Sequence, residues 1–163
     1  MISRLELADL KSIMHVVNKA AEAYKGVIPM DRWKEPYMSA EELREEIEGG
    51  VEFYGWIEDN LLVAVMGIQP VNGVTLVRHA YVLPNYQREG IGDRLLRNLL
   101  SLARTSEVLV GTWEAAHWAI SFYEKHGFKL ISKKEKDRLL WKYWKIPERQ
   151  VETSVVLKLK RQN

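Results

Sequence analysis

The segment Gln87-Arg88-Glu89-Gly90-Ile91-Gly92 lies between an apolar run, Thr75 to Leu83, and a helical run, Asp93 to Ala103. The order is strand, tight loop, helix, with two glycines where the loop becomes the helix. Glycine has no Cβ, so the backbone there can adopt positive φ and approach a ligand closely. A helix N-terminus adds unpaired N–H donors and the positive end of the helix dipole, a combination that favours phosphate. The loop therefore predicts a phosphate-bearing cofactor.

The pattern on either side sets the fold class. Ser3 and Glu6 have the spacing of a capping box ahead of Leu5, Ile13, Val16 and Val17, which predicts a helix over about residues 4–24 ending at Gly26. Val27 to Tyr37 reads as a loop with Pro29 and Pro36. Ser39 and Glu42 form a second capping box, and Gly49-Gly50 stops the helix that follows. From Val51 the period becomes two: strands over Val51 to Glu58 and Leu61 to Pro70 flank the Asp59-Asn60 turn, and Asn72-Gly73 leads into a strand reaching Leu83. A helix over Ile91 to Arg104, a strand over Val108 to Thr112 and a helix over Ala115 to His126 follow. Strands are expected over Phe128 to Lys134 and Thr153 to Lys160, with an aromatic, basic segment, Asp137 to Gln150, between them. Two helices, an antiparallel meander and then alternating strands and helices predict an α/β (α+β) fold, a mixed sheet with helices on both faces.

Composition excludes several classes of function. At 163 residues and 47% apolar content the chain is expected to form one domain with a real core. No apolar run approaches the roughly 20 residues that span a bilayer. The start has the look of no secretory signal, so the cytoplasm is the expected compartment. With no cysteine there is no disulfide, thiolate metal site or cysteine nucleophile, and no metal is expected. A net charge of +2 does not argue for nucleic acid. Lys133, Lys134, Lys136, Arg138, Lys142, Lys145 and Arg149 crowd the C-terminal third, and Glu41 to Glu48 is mainly acidic; both read as solvated faces. His15 reads as a half-buried core residue, and His126 as a helix-end residue beside the negative end of the dipole.

The loop is not a dinucleotide fingerprint, because Leu95 stands where a third glycine or alanine is needed. Nor is it a Walker A loop, since no Gly-Lys-Ser/Thr occurs. Gln87-x-x-Gly90-x-Gly92 after Val82-Leu83-Pro84, followed downstream by Ala119-Ile120-Ser121-Phe122-Tyr123-Glu124-Lys125-His126-Gly127-Phe128, resembles the GNAT superfamily of N-acetyltransferases. The likeness covers Val51 to Lys160 well and the N-terminal helices loosely. It implies one N-acetyltransferase domain over residues 1–163, with a mostly antiparallel sheet of six to seven strands splayed between two central parallel ones. A first strand appears only if very short, given the Ser3 capping box. It also implies acetyl-CoA as acyl donor: Tyr81, Val82 and Leu83 along the pantetheine arm, and Gln87, Arg88, Glu89, Gly90, Ile91, Gly92 and Asp93 around the pyrophosphate.

Acetyl transfer to an amine needs a neutral amine, a polarised carbonyl and a proton for the departing thiolate. Tyr123 matches the family position of the acid. The base is open among His79, Glu114 and His117. In a regular strand His79 points away from the face of Val82, and a bulge of the kind common in the family would turn it. Ala116 departs from the Asn many relatives carry, which also leaves room for a non-catalytic acyl-CoA-binding sensor on the same fold. The acceptor site of the family falls on segments holding Tyr24, Trp33, Tyr37, Trp141, Tyr143 and Trp144, aromatics that either grip the acceptor or pack a dimer interface or core edge. Asp31 and Glu35 offer negative charge to a cationic amine. Small amines, amino acids, antibiotics and protein N-termini all remain open as acceptors, and nucleic-acid binding through Lys133 to Arg149 is the remaining alternative.

Overall fold

In a computed structural model, which describes residues 1–144 and 146–161, alternating apolar positions from Val51 onward build strands and 3.6-spaced ones build helices. Lys145 of the basic segment lies outside the described residues. The strands are β1 (Ile2–Arg4), β2 (Glu52–Glu58), β3 (Leu61–Val71), β4 (Val74–Val82), β5 (Glu107–Trp113), β6 (Lys129–Leu130) and β7 (Ser154–Lys160). The helices are α1 (Leu10–Ala20), α2 (Ala40–Glu48), α3 (Ile91–Leu102), α4 (His117–Lys125), α5 (Lys133–Tyr143) and α6 (Glu148–Glu152). The seven strands form one mixed sheet in the order β1-β2-β3-β4-β5-β7-β6, in which β4 and β5 are the parallel pair.

The chain divides into two compact units. The first comprises residues 1–23, 34–70 and 77–103. Its core takes Ile13, Val16 and Val17 from α1, Leu43 from α2, Phe53 from β2, and Leu95, Leu96 and Leu99 from α3, all essentially inaccessible to solvent. These lie three and four residues apart along each helix, the stripe that amphipathic helices bury. The second comprises residues 24–33, 71–76 and 104 onward. Its core gathers Leu76, Leu109, Leu139, Leu140, Trp144, Val151 and Val156.

Two expected elements change. Ser3 is not a helix cap: Ile2 to Arg4 pair with Trp56 to Tyr54 as a three-residue strand. The cap lies at Glu6, whose N–H donates to Asp9 Oδ2 at 2.8 Å, and the regular helix begins only at Leu10. The strand expected over residues 128–134 shrinks to β6, because Ser132 caps a helix instead, its Oγ accepting from Glu135 N–H at 3.3 Å. That helix, α5, and the short α6 occupy most of the aromatic, basic segment. Within it Lys136 is buried rather than solvated, its Nζ donating to Val151 O at 2.8 Å and lying 2.8 Å from Asp137 Oδ1. His15, in turn, is exposed on α1. The Ser39–Glu42 capping box forms as expected, Glu42 N–H donating to Ser39 Oγ at 3.1 Å. Both turns Asp59-Asn60 and Asn72-Gly73 place two successive residues at positive φ, the conformation that suits a tight hairpin.

Candidate active site

In the first unit, β4 ends at Val82 and one turn of 3-10 helix, Pro84–Tyr86, carries the chain into the glycine loop. Gln87 anchors the loop by donating from Nε2 to Val82 O at 3.1 Å. Arg88 at φ 65° and Gly90 at φ 80° are both left-handed, and Gly90 is the residue from which α3 springs. Arg94 N–H donates to Gly90 O at 3.1 Å, closing the first turn. The N–H groups of Ile91, Gly92 and Asp93 come before any intrahelical acceptor, so they are the donors a helix start offers. A Cβ built on Gly90 would meet no atom within 4 Å. The loop therefore opens onto free space at its tightest point, with the Arg88 side chain exposed beside it. A phosphate group fits these features.

Further back along β4 the alternation of side chains breaks. His79 sits at φ 55°, and it and its neighbour Arg78 both reach the same carboxylate, Glu46 of α2. Successive residues of a regular strand point to opposite faces, so this shared partner is the signature of a bulge. Arg78 grips Glu46 with both guanidinium nitrogens, NH2 to Oε1 and NH1 to Oε2, each at 3.1 Å, and its NH1 also donates to Gln69 Oε1 at 3.0 Å. His79 Nε2 lies 3.2 Å from Glu46 Oε1, close but off the line of a well-formed hydrogen bond. The His79 ring stacks on Phe53, centroids 5.9 Å apart. Burial pushes the Glu46 carboxyl up, but His79 and then Arg78 outweigh it and hold the group below its ordinary value. Gly67 of β3 makes room for the bulge, since a Cβ there would stand 3.1 Å from Arg78 O and 2.8 Å from Val51 Cγ1.

In the second unit, Tyr123 of α4 is 5% exposed and packs edge-on against Phe122 and Phe128, at centroid distances of 5.1 and 5.5 Å. Burial, with a smaller contribution from Tyr24, pushes its phenol far above the usual value. Tyr24 in turn stacks on Trp118, centroids 5.9 Å apart. Glu114 follows β5, where its N–H donates to Thr153 O at 2.9 Å, and its side chain is exposed. His117 is exposed at the first turn of α4, and Ala116 is buried at the cap position. Trp141 is exposed and Trp33 half-buried, whereas Trp144 is a core residue lying over Gly111. Asp31 is already paired: Arg149 Nε donates to its Oδ2 at 2.9 Å, and that hydrogen bond holds the carboxyl below its ordinary value. Among the described residues no group of three His, Asp or Glu side chains is placed to hold a metal ion, and no helix is long and apolar enough to cross a membrane.

Residues 18–141 match the family described as the acetyltransferase (GNAT) domain. The chain belongs to this family. No curated protein matches the sequence. Among solved structures, the chain is similar to the PaiA N-acetyltransferase of Thermoplasma acidophilum in complex with coenzyme A, at 19% identity and TM-score 0.74 over 98% of both chains. It is similar to the ribosomal-protein-S18-alanine N-acetyltransferase of Escherichia coli at 19% identity and TM-score 0.72, over 100% of this chain and 94% of that one. It is also similar to a GNAT-family acetyltransferase of Staphylococcus aureus, at 15% identity and TM-score 0.76 over 99% of both. At these identities the likeness is one of fold.

Within this GNAT domain two residues emerge that the sequence did not single out. Glu46 belongs to the acidic run that reads as a solvated face, yet it follows Leu43 by three residues and so shares the buried side of α2. That spacing was the available signal. Trp118 is half-exposed beside Tyr24, and its place next to His117 was the hint. Tyr37 is half-buried in the first unit.

Proposed function

We propose that this GNAT domain is an acetyl-CoA-dependent N-acetyltransferase of the cytoplasm, one functional domain that moves an acetyl group directly to a primary amine while donor and acceptor are both bound. The observation that carries the reading is the Gln87–Gly92 loop, left-handed at Arg88 and Gly90 and open where α3 begins. Gln87 to Asp93 would hold the pyrophosphate, Arg88 adding charge, and Tyr81 to Leu83 would line the pantetheine arm. The Thermoplasma structure's complex with coenzyme A supports an acyl-CoA as the ligand.

When bound, acetyl-CoA supplies an acyl thioester. The new bond joins the amine nitrogen to the acyl carbon, and the carbon–sulfur bond breaks. His79 accepts the proton that the amine loses. Tyr123 stays protonated at neutral pH, because burial raises its phenol, and donates to the departing sulfur. Glu114 and His117 are the other candidates for the base. Tyr24, Trp33, Tyr37 and Trp141 would recognise the acceptor; with Asp31 engaged by Arg149, aromatic faces rather than that carboxylate receive a cationic amine.

The test is native mass spectrometry for bound CoA combined with acyl-transfer assays over amines, amino acids and peptides. Transfer to at least one amine supports the reading. CoA binding without transfer or thioester cleavage would instead mark a sensor, the reading favoured by Ala116 at the α4 cap. No CoA binding at all would defeat both.

A further inference from the structure

We propose that Glu46 is the positioning residue of His79, its carboxylate facing Nε2 so that Nδ1 is the nitrogen left to take the amine proton; this rests on the transferase reading above. A neutral imidazole carries one N–H and one bare nitrogen, and the group facing each nitrogen decides which is which. A carboxylate only accepts, so Glu46 Oε1 at 3.2 Å favours the proton on Nε2. The carboxylate cannot swing away, because Arg78 holds both of its oxygens and is itself held by Gln69. Phe53 fixes the plane of the ring from β2. The bulge brings these parts together: without the left-handed backbone at His79, the histidine and Arg78 would lie on opposite faces. The groups facing His79 within this unit are thus Glu46 from α2, Arg78 from its own strand and Phe53 from β2. The arrangement resembles the general device in which a carboxylate orients a histidine base and sets its tautomer.

The experiment compares wild type, E46Q, H79A and the double variant, with ¹⁵N NMR of the imidazoles assigned by difference against H79A. Expected in the wild type is an Nε2–H tautomer for His79, giving way in E46Q to a mixture. Replacing His79 should lower kcat by about 10²-fold, and E46Q by about 10-fold, the lower end of the loss when the carboxylate behind a metal-bound histidine is removed, with KM for acetyl-CoA nearly unchanged. On the H79A background E46Q should cost nothing further. E46Q keeps an acceptor for Arg78, and its melting temperature shows whether it folds; E46D serves if it does not. An Nδ1–H tautomer in the wild type would overturn the proposal. So would an E46Q loss of equal size with and without His79, which is what a purely structural role gives. Full turnover by H79A would remove His79 and Glu46 from the chemistry while leaving the transferase reading intact. If the wild type acetylates no amine, that reading falls alone, and the tautomer, measured without substrate, still decides whether Glu46 sets the imidazole.

Discussion

At the scale of single residues, Tyr123 and Glu46 sit in opposite surroundings. Tyr123 is wrapped in aromatic rings and keeps its proton; Glu46 is half-buried and ionised, because His79 and Arg78 face it. Tyr123→Phe removes only the hydroxyl, so kcat should fall by about 10²-fold or more while KM for acetyl-CoA changes little, as steady-state kinetics will show. Gly90→Val tests the loop. The new Cβ meets no atom within 4 Å, so the main structural cost is the left-handed backbone, at least about 1–2 kcal/mol for a β-branched residue. It occupies the opening, however, and acetyl-CoA affinity measured by calorimetry should drop well beyond that. Glu46 also predicts a pH effect. Its folded value is depressed below the ordinary 4.5, so the stability it contributes is fully present above 4.5 and lost as pH falls through the folded value. Urea unfolding of wild type and E46Q should differ at pH 7 and converge as the pH is lowered through the acid range.

At the scale of elements, capping and turn chemistry were legible and tertiary pairing was not. Ser39-x-x-Glu42 announced α2, and Asn72-Gly73 announced the turn into β4, because both signals act within four residues. Ser3-x-x-Glu6 has the same spacing and failed: pairing of Ile2 to Arg4 with β2 drew the segment into the sheet, a gain no local pattern reveals. Ser132-x-x-Glu135 carries the same capping signal, masked in the sequence by the β-compatible run from Phe128 to Ile131 just before it. The left-handed turn into α3 was visible in the glycines; the Glu46–His79 contact was not, since it depends on a bulge that breaks alternation. Gly67 carries the matching prediction. Gly67→Ala pushes a methyl group against Arg78 O and Val51, an overpacking that should cost about 1–3 kcal/mol and show as a lower urea midpoint.

For the whole molecule, ligand binding and stability are linked. If acetyl-CoA binds the folded chain alone, a 100-fold excess over Kd adds about 2.7 kcal/mol. For a chain of 163 residues that raises the melting temperature by about 5–10 °C, at about 2–4 °C per kcal/mol, in a thermal-shift assay. The basic C-terminal third offers less free charge than its count suggests: Lys136 is buried, Arg138 pairs with Glu135 at 2.6 Å, and Arg149 pairs with Asp31. Exchange of segments between relatives meets a different constraint. Glu46 lies on α2, directly after the Trp33 to Tyr37 segment that the family resemblance links to acceptor choice, yet it neutralises a cation inside β4. A chimera that imports α2 with an apolar residue at that position would therefore change more than substrate preference. It would strand Arg78 within the sheet, so an acid at position 46 has to travel with any transplanted helix.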